Sequence, residues 1–392
     1  MTIETDLIHE GFIRSQFDES SEPIYMTSGF VYKTAQEAEA AFNGSKERHQ
    51  YSRFSNPTLS CFEERLAKLE KAETCIATAS GMAAVYGALA GLCKAGDRIV
   101  ACRAMFGSCL QIITKIMPQY GVDFELVDGT DIEQWKQALS KPTDIVFIES
   151  PSNPMLDVVD LPAVAKLAKQ AGALVLVDNV FATPLGQRPL ELGADLVIYS
   201  ATKHIDGQGR ALGGAVLASS ELLDAAGGIR FFIRNTGLAM SPFNAWIMLK
   251  SLETLPVRIE RQAQNATKIA DFLSNHPAIS QMLYPFHTSH PQYTLAKKLL
   301  TTGGNMISFT LKGGKKAAFE VQNSFKLFLI SNNLGDSKSL STHPSSTTHY
   351  SIGAEARAGM RIDEGTIRLS IGLEHSDDLI ADLKQALNAI GV

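Results

Sequence analysis

Leu174-Val175-Leu176-Val177-Asp178-Asn179 and Leu196-Val197-Ile198-Tyr199-Ser200-Ala201-Thr202-Lys203 are two short apolar runs, each stopping abruptly at a reactive polar residue. A continuous β-branched run of this length, bounded by polar residues, is the pattern of a strand buried on both faces. Two such strands carry a carboxylate and, 25 residues later, an amine to the same edge of a buried sheet. In open α/β sheets that edge, at the carboxyl ends of the strands, is where ligands bind.

Outward from these runs, residues 75 to 218 alternate β-branched stretches with longer helical ones. Strands are expected near 75–79, 98–102, 123–127, 145–148, 173–177, 196–198 and 213–217, and helices near 82–93, 107–118, 131–139 and 161–171. This predicts an α/β fold: a doubly wound, mostly parallel sheet of about seven strands. After Pro242 the texture changes to helical patterns near 243–275, 290–300, 314–323 and 376–389, with strands near 306–311, 326–330 and 366–371. The expected organisation is an N-terminal arm over 1–55, a large domain over 56–242 and a smaller C-terminal α+β domain over 243–392. The arm holds Arg14, Tyr25, Tyr32, Tyr51 and Arg53 in an irregular segment that needs a surface to lie against. Asn332 to Thr348, dense in Ser, Thr, Gly and Asn, reads as a long loop.

A chain of 392 residues exceeds the size at which one core stops growing. Hydrophobic residues make up 45% and charged residues 20%, as in ordinary globular proteins. The net charge of −5, with both signs interleaved, argues against nucleic-acid and membrane partners. Five cysteines, an odd count without a C-x-x-C pair, argue against a disulfide framework and a zinc site. No signal-peptide pattern opens the chain, and the apolar runs are too short to span a bilayer, so a cytoplasmic setting is expected and the two N-x-S/T sequons carry no weight.

Other strand ends add to the opening pair. The run at 75–79 leads into Ser80-Gly81-Met82 and a helix, offering backbone N–H groups to an anion such as phosphate. The run at 145–148 leads into Glu149-Ser150-Pro151-Ser152-Asn153-Pro154, where Asn153 can donate to a phenolate oxygen. Each has a plain reading alone: Ser80 as a helix cap, Asn153 as a turn residue, Asp178 as a cap or metal ligand, Lys203 as a surface lysine. Their convergence on one edge matches the needs of pyridoxal 5'-phosphate: a lysine for the aldehyde, an acid for the pyridine nitrogen and donors for the phosphate.

At this point the chain resembles the pyridoxal-phosphate enzymes of cysteine and methionine metabolism, relatives of cystathionine γ-synthase, nearly end to end. Tyr51-Ser52-Arg53 with Asn56-Pro57-Thr58 resembles the family's arm motif, which implies that Tyr51 and Arg53 reach the phosphate bound by a neighbouring subunit. Ser80-Gly81-Met82-Ala83-Ala84 resembles the phosphate turn, Asp178-Asn179 with Thr183-Pro184 the pyridine-nitrogen segment, and Ser200-Ala201-Thr202-Lys203 the lysine signature with both hydroxyls on phosphate. Arg368 in Ile367-Arg368-Leu369-Ser370-Ile371-Gly372 resembles the arginine that grips the substrate α-carboxylate, a task suited to a bidentate fork. The resemblance implies the aminotransferase fold of type I and a homotetramer of two dimers with shared active sites.

Within that family, Lys203 to Arg210, Asp178 to Phe181, Ser241 to Trp246 and Asn333-Leu334-Gly335-Asp336 resemble O-succinylhomoserine sulfhydrylases. The implied reaction is γ-replacement of an O-acyl homoserine by sulfide to give homocysteine; cystathionine γ-synthase and γ-lyase chemistries are the alternatives. Lyases of the family usually carry Ser at the position of Asn333 and Tyr at that of Phe106. A phenylalanine stacks on the cofactor but transfers no proton, which leaves that work to Lys203 or to a residue from elsewhere. Gly207-x-Gly209-x-x-Leu212 lacks the third glycine of a dinucleotide fingerprint. His287 and His290 read as loop residues rather than a metal site, and His343 and His349 either line the pocket or are solvated.

Overall fold

The structure, a computed structural model, describes residues 2–12 and 14–391. Seven strands, β1 (Thr74–Thr78), β2 (Arg98–Cys102), β3 (Asp123–Val127), β4 (Ile145–Glu149), β5 (Leu174–Asp178), β6 (Leu196–Tyr199) and β7 (Gly214–Ala218), form a sheet in the order β1-β7-β6-β5-β4-β2-β3. Strand β7 is antiparallel to both neighbours and the remaining pairs are parallel.

Side chains of β6 alternate between two cores: Leu196 and Ile198 join the cluster of Val85, Leu89 and Phe147, while Val197 and Tyr199 join that of Phe62, Leu66 and Met248. Helices therefore cover both faces, and strands buried on both faces need the near-continuous apolar sequence seen. The connecting helices carry ordinary signals. In Leu161–Ala171, Asp160 caps the first turn, Pro162 occupies it, and Gly172 ends the helix with φ 75°.

A second sheet contains β8 (Ile279–Leu283), β9 (Met306–Leu311), β10 (Leu329–Ile330), β11 (Leu340–Thr342) and β12 (Thr366–Ser370), in the order β10-β11-β12-β9-β8. Two of these strands lie where none was expected. Strand β8 escapes pattern reading because a bulge between Ile279 and Gln281 breaks its alternation. Strand β11 lies inside the expected loop, and its Leu-Ser-Thr sequence is buried because hydrogen bonds satisfy it: Ser341 Oγ accepts from Gln322 Nε2 at 2.7 Å and Thr342 Oγ1 from Arg368 Nη2 at 3.1 Å.

Two expected helices are interrupted. The stretch 107–118 is an α-helical turn (Gly107–Gln111), a π turn (Ile112–Ile116) and a 3-10 turn (Met117–Tyr120), in keeping with Pro118, which lacks an N–H and crowds the carbonyl four residues back. The stretch 243–275 is two helices, Pro242–Leu252 and Leu255–Ser274, the second with Pro256 in its first turn. Strand β10 is shorter than the expected 326–330, and the helix expected over 290–300 spans Tyr293–Leu299.

Candidate active site

The carboxyl ends of β4, β5 and β6 and the N-terminus of the helix Gly81–Leu92 open into a cavity of about 380 Å³. Ser80, Gly81, Met82, Phe106, Asn153, Asp178, Ser200, Thr202, Lys203 and Arg368 all line it, although they come from segments as much as 288 residues apart (Ser80 to Arg368).

Its phosphate-like end is built by close packing. Ser80 Oγ caps the helix by accepting from the Ala83 N–H at 3.1 Å, and the first N–H groups of a helix have no partner within it. A Cβ on Gly81 would stand 2.6 Å from Ser200 Cβ, so glycine is what lets the helix tip meet the strand end that carries Ser200. Gly214 is needed for the same reason, because a Cβ there would lie 2.2 Å from the Ser80 carbonyl oxygen. Thr202 differs from expectation. Its Oγ1 donates to the Gly213 carbonyl at 3.1 Å and accepts from the Gly213 N–H at 3.0 Å, which ties it to its own turn rather than leaving it free for an anion.

At the opposite side two carboxylates lie on adjacent strands, with Glu149 paired in register with Asp178. Burial raises the Asp178 pKa to about 6, against the Val180 N–H that donates to its Oδ1 at 3.1 Å. Glu149 is pushed up as well, by burial first and by Asp178 second, although it accepts from the Phe106 N–H (Oε2, 2.7 Å) and the Asn153 N–H (Oε1, 2.6 Å). Sequence reading passed over Glu149; the available signal was that it ends its apolar run just as Asp178 ends its own. It also missed Cys109, whose thiol donates to Asp178 Oδ2 at 4.0 Å.

Lys203 Nζ donates to Asn333 Oδ1 at 2.6 Å, which brings Asn333 to the site from the other sheet's side. Burial, then Arg368, lowers the Lys203 pKa to about 8, so the amine becomes neutral far more readily than an exposed lysine. Arg368, fully buried on β12, donates through Nη1 to Asn153 Oδ1 at 2.9 Å. Its Nη2 lies 3.3 and 3.2 Å from the carbonyl oxygens of Asn332 and Asn333, and its Nε has no partner. That orphan donor suits a ligand carboxylate. His349 is buried beside this group; its pKa falls to about 4, through burial and then Arg368, so it is neutral and not a solvated loop histidine. His343 is buried as well, with its Nε2 2.8 Å from the Glu364 carbonyl oxygen.

Tyr51 and Arg53 do not join the cavity of their own chain. Tyr51 is 42% exposed, and Arg53 turns to the Arg234 carbonyl and stacks on the Phe54 ring. His290 is buried against the Leu156 carbonyl, His287 bonds to Ser289, and among the described residues no His, Cys, Asp or Glu cluster is placed to hold a metal. Nor is any described helix long and apolar enough to cross a membrane.

The residues present fit pyridoxal 5'-phosphate: a glycine-cleared helix tip for its phosphate, the buried Asp178 for its ring nitrogen, Phe106 for a ring face and a readily neutralised Lys203 for its aldehyde.

Comparison with known proteins agrees. The profile of the Cys/Met metabolism PLP-dependent enzymes matches residues 4–388. An O-succinylhomoserine sulfhydrylase of Mycobacterium tuberculosis is 51% identical over 385 residues, which is 97% of this chain and 94% of that one. An L-methionine gamma-lyase of Treponema denticola is 40% identical over 98% of this chain and 96% of its own. Among solved structures, a Campylobacter jejuni protein carrying N'-pyridoxyl-lysine-5'-monophosphate superposes with a TM-score of 0.95 at 34% identity, over 99% of this chain and 100% of that one.

Proposed function

We infer the reaction from one premise: this chain belongs to the Cys/Met metabolism PLP-dependent enzyme family, and its fold is the type I fold of those enzymes. The reaction is replacement of the acyl group of O-succinylhomoserine, or O-acetylhomoserine, by sulfide, giving homocysteine and the free carboxylate in the route to methionine. The observation that carries this reading is the joint presence in one cavity of Lys203, Asp178 and Arg368 in a chain 51% identical to a sulfhydrylase. A nicotinamide-dependent dehydrogenase or a silent scaffold has no use for that set.

Bound pyridoxal phosphate supplies an electron sink conjugated to the substrate Cα. Ser80, Gly81, Met82 and Ser200 would hold its phosphate end, Asn153 would meet its phenolate side, Phe106 would lie against its ring and Asp178 would keep a positive charge on its nitrogen. Arg368 grips the α-carboxylate and so fixes which bond at Cα is presented for cleavage, a contribution of orientation. Lys203 Nζ would take the proton from Cα, pass it to the cofactor carbon and only then take one from Cβ, since an amine carries one such proton at a time. The carboxylate leaves from Cγ, hydrosulfide adds there, and Lys203 returns the protons. The 2.6 Å bond to Asn333 Oδ1 keeps that amine over the site.

Tyr51 and Arg53 are assigned to the phosphate of a neighbouring subunit. Two facts support this: Tyr51 is exposed on its own chain, and among the described residues Lys203 and Arg368 are the only lysine or arginine side chains lining the cavity, neither of them at the helix tip of Gly81. The assembly is then a homotetramer of two dimers in the cytoplasm, with the arm 1–55 crossing the dimer interface.

One panel tests the reaction. Purified enzyme is offered O-succinyl- and O-acetylhomoserine, each with sulfide, cysteine or no thiol. Homocysteine formed with sulfide as the dominant product is expected. Cystathionine formed at a higher rate with cysteine would replace the reading with a synthase, and 2-oxobutyrate formed equally fast without thiol would replace it with a lyase.

A further inference from the structure

We propose that Glu149 is a positioning residue: its single carboxylate fixes both the Phe106 wall and the Asn153 wall of the cofactor cavity. The argument begins with backbone donors. Phe106 precedes the helix Gly107–Gln111 on the segment leaving β2, and Asn153 lies in the turn leaving β4. Neither segment belongs to a sheet ladder, yet each presents its N–H to Glu149, at 2.7 and 2.6 Å on different oxygens. A carboxylate is the side chain that accepts at both ends, since a carboxamide carries a donor at one of them.

The two clamped residues reach further. Asn153 Oδ1 accepts from Arg368 Nη1 at 2.9 Å, so the position of Asn153 sets that of the guanidinium on the other sheet. Gly107, next to Phe106, is wedged so closely that a Cβ would lie 2.8 Å from the Thr348 carbonyl oxygen, which leaves the Phe106 segment one seat. Glu149 is itself held. It ends β4 in register with Asp178, it is 3% exposed, and its backbone N–H donates to Cys102 Sγ at 3.2 Å. One group on the central sheet thereby sets the ring that covers the cofactor and, through Asn153, the arginine that grips the substrate. Glu149 touches neither reacting atom.

The inference rests on the cofactor reading above and extends it. The test uses the full-length protein with Glu149→Gln and Glu149→Asp. Three quantities are read: deuterium exchange at the Phe106 and Asn153 amides in the apoprotein, the affinity and circular dichroism of added pyridoxal phosphate, and kcat and KM for the homoserine ester. In Glu149→Gln one N–H faces the carboxamide NH2, so exchange at Phe106 or Asn153 accelerates roughly 5- to 140-fold, the cost of leaving a buried donor without its acceptor. Cofactor affinity falls, the cofactor dichroic band weakens and KM rises along with the fall in kcat. Glu149→Asp keeps both acceptor oxygens and lies between. A merely structural role lowers the melting temperature of both variants yet leaves amide exchange and the dichroic band unchanged, and that result overturns the proposal. Should Glu149→Gln not fold, unchanged exchange in Glu149→Asp overturns it equally. A wild-type protein that binds no pyridoxal phosphate sinks the function proposed above, while the exchange comparison in apoprotein still decides the role of Glu149.

Discussion

Gly81→Ala adds one carbon at the helix tip where the space is already taken. The new Cβ would stand 2.6 Å from Ser200 Cβ, 2.8 Å from its Oγ and 2.9 Å from its Cα. Carbon atoms in contact normally sit about 3.5–4.0 Å apart, so the overlap is roughly 1 Å. Part of that overlap is with backbone, on the segment that leads to Lys203. Gly81 does not have a left-handed φ, which makes the cost steric rather than conformational. If the tip withdraws by that distance, an N–H bond to phosphate lengthens from about 2.9 Å to nearly 4 Å and is lost. One charge-assisted bond contributes about 1.5–3 kcal/mol, so the dissociation constant for pyridoxal phosphate should rise roughly 10- to 150-fold. Titration of the apoprotein with pyridoxal phosphate, followed by absorbance, measures this directly. Overpacking itself costs about 1–3 kcal/mol, so the apoprotein's Tm should fall as well. A folded Gly81→Ala protein with affinity within about twofold of wild type would refute the assignment of this helix tip to the phosphate.

Two further outcomes test the amine and the arm. Because Lys203 loses its proton near pH 8 in the folded chain but near about 10.4 when unfolded, the unfolded state holds more protons between those values. Apoprotein stability should therefore rise with pH across that window, and the slope should vanish in Lys203→Met; likewise the rate of pyridoxal phosphate capture should climb about tenfold per pH unit below 8 and then level, whereas a flat rate contradicts a titrating Lys203. For the arm, Lys203→Ala and Arg53→Ala should each be inactive alone, and co-refolded mixtures should regain about a quarter of wild-type activity, since a hybrid dimer contains one intact site; no recovery in demonstrated hybrids would place Arg53 outside the shared site.

Much of the large sheet could be read from sequence because its strands are buried on both faces. Leu174–Asp178 and Leu196–Tyr199 have no polar interruption, so their limits coincide with the change in chemistry at Asp178 and Ser200. The second sheet was less legible. Strand β11 is buried while its sequence is polar, because Gln322 and Arg368, distant in the chain, satisfy Ser341 and Thr342. No local pattern encodes such partners. The same applies to His343 and His349, whose Ser/Thr-rich surroundings suggest solvent but whose rings are buried.

The sequence by itself determined that an acid and an amine end adjacent buried strands, since apolar continuity fixes where strands stop and which edge they share. It also marked Ser80, Asn153 and Arg368 as companions. Only the tertiary structure decided how those groups are tuned. Glu149 and Asp178 become neighbours through the register of β4 on β5. Lys203 meets Asn333 across 130 residues, Thr202 turns back to Gly213, and Tyr51 and Arg53 stay outside their own cavity. Burial, register and long-range hydrogen bonds depend on what the rest of the chain brings alongside, so residue identity and spacing do not reveal them.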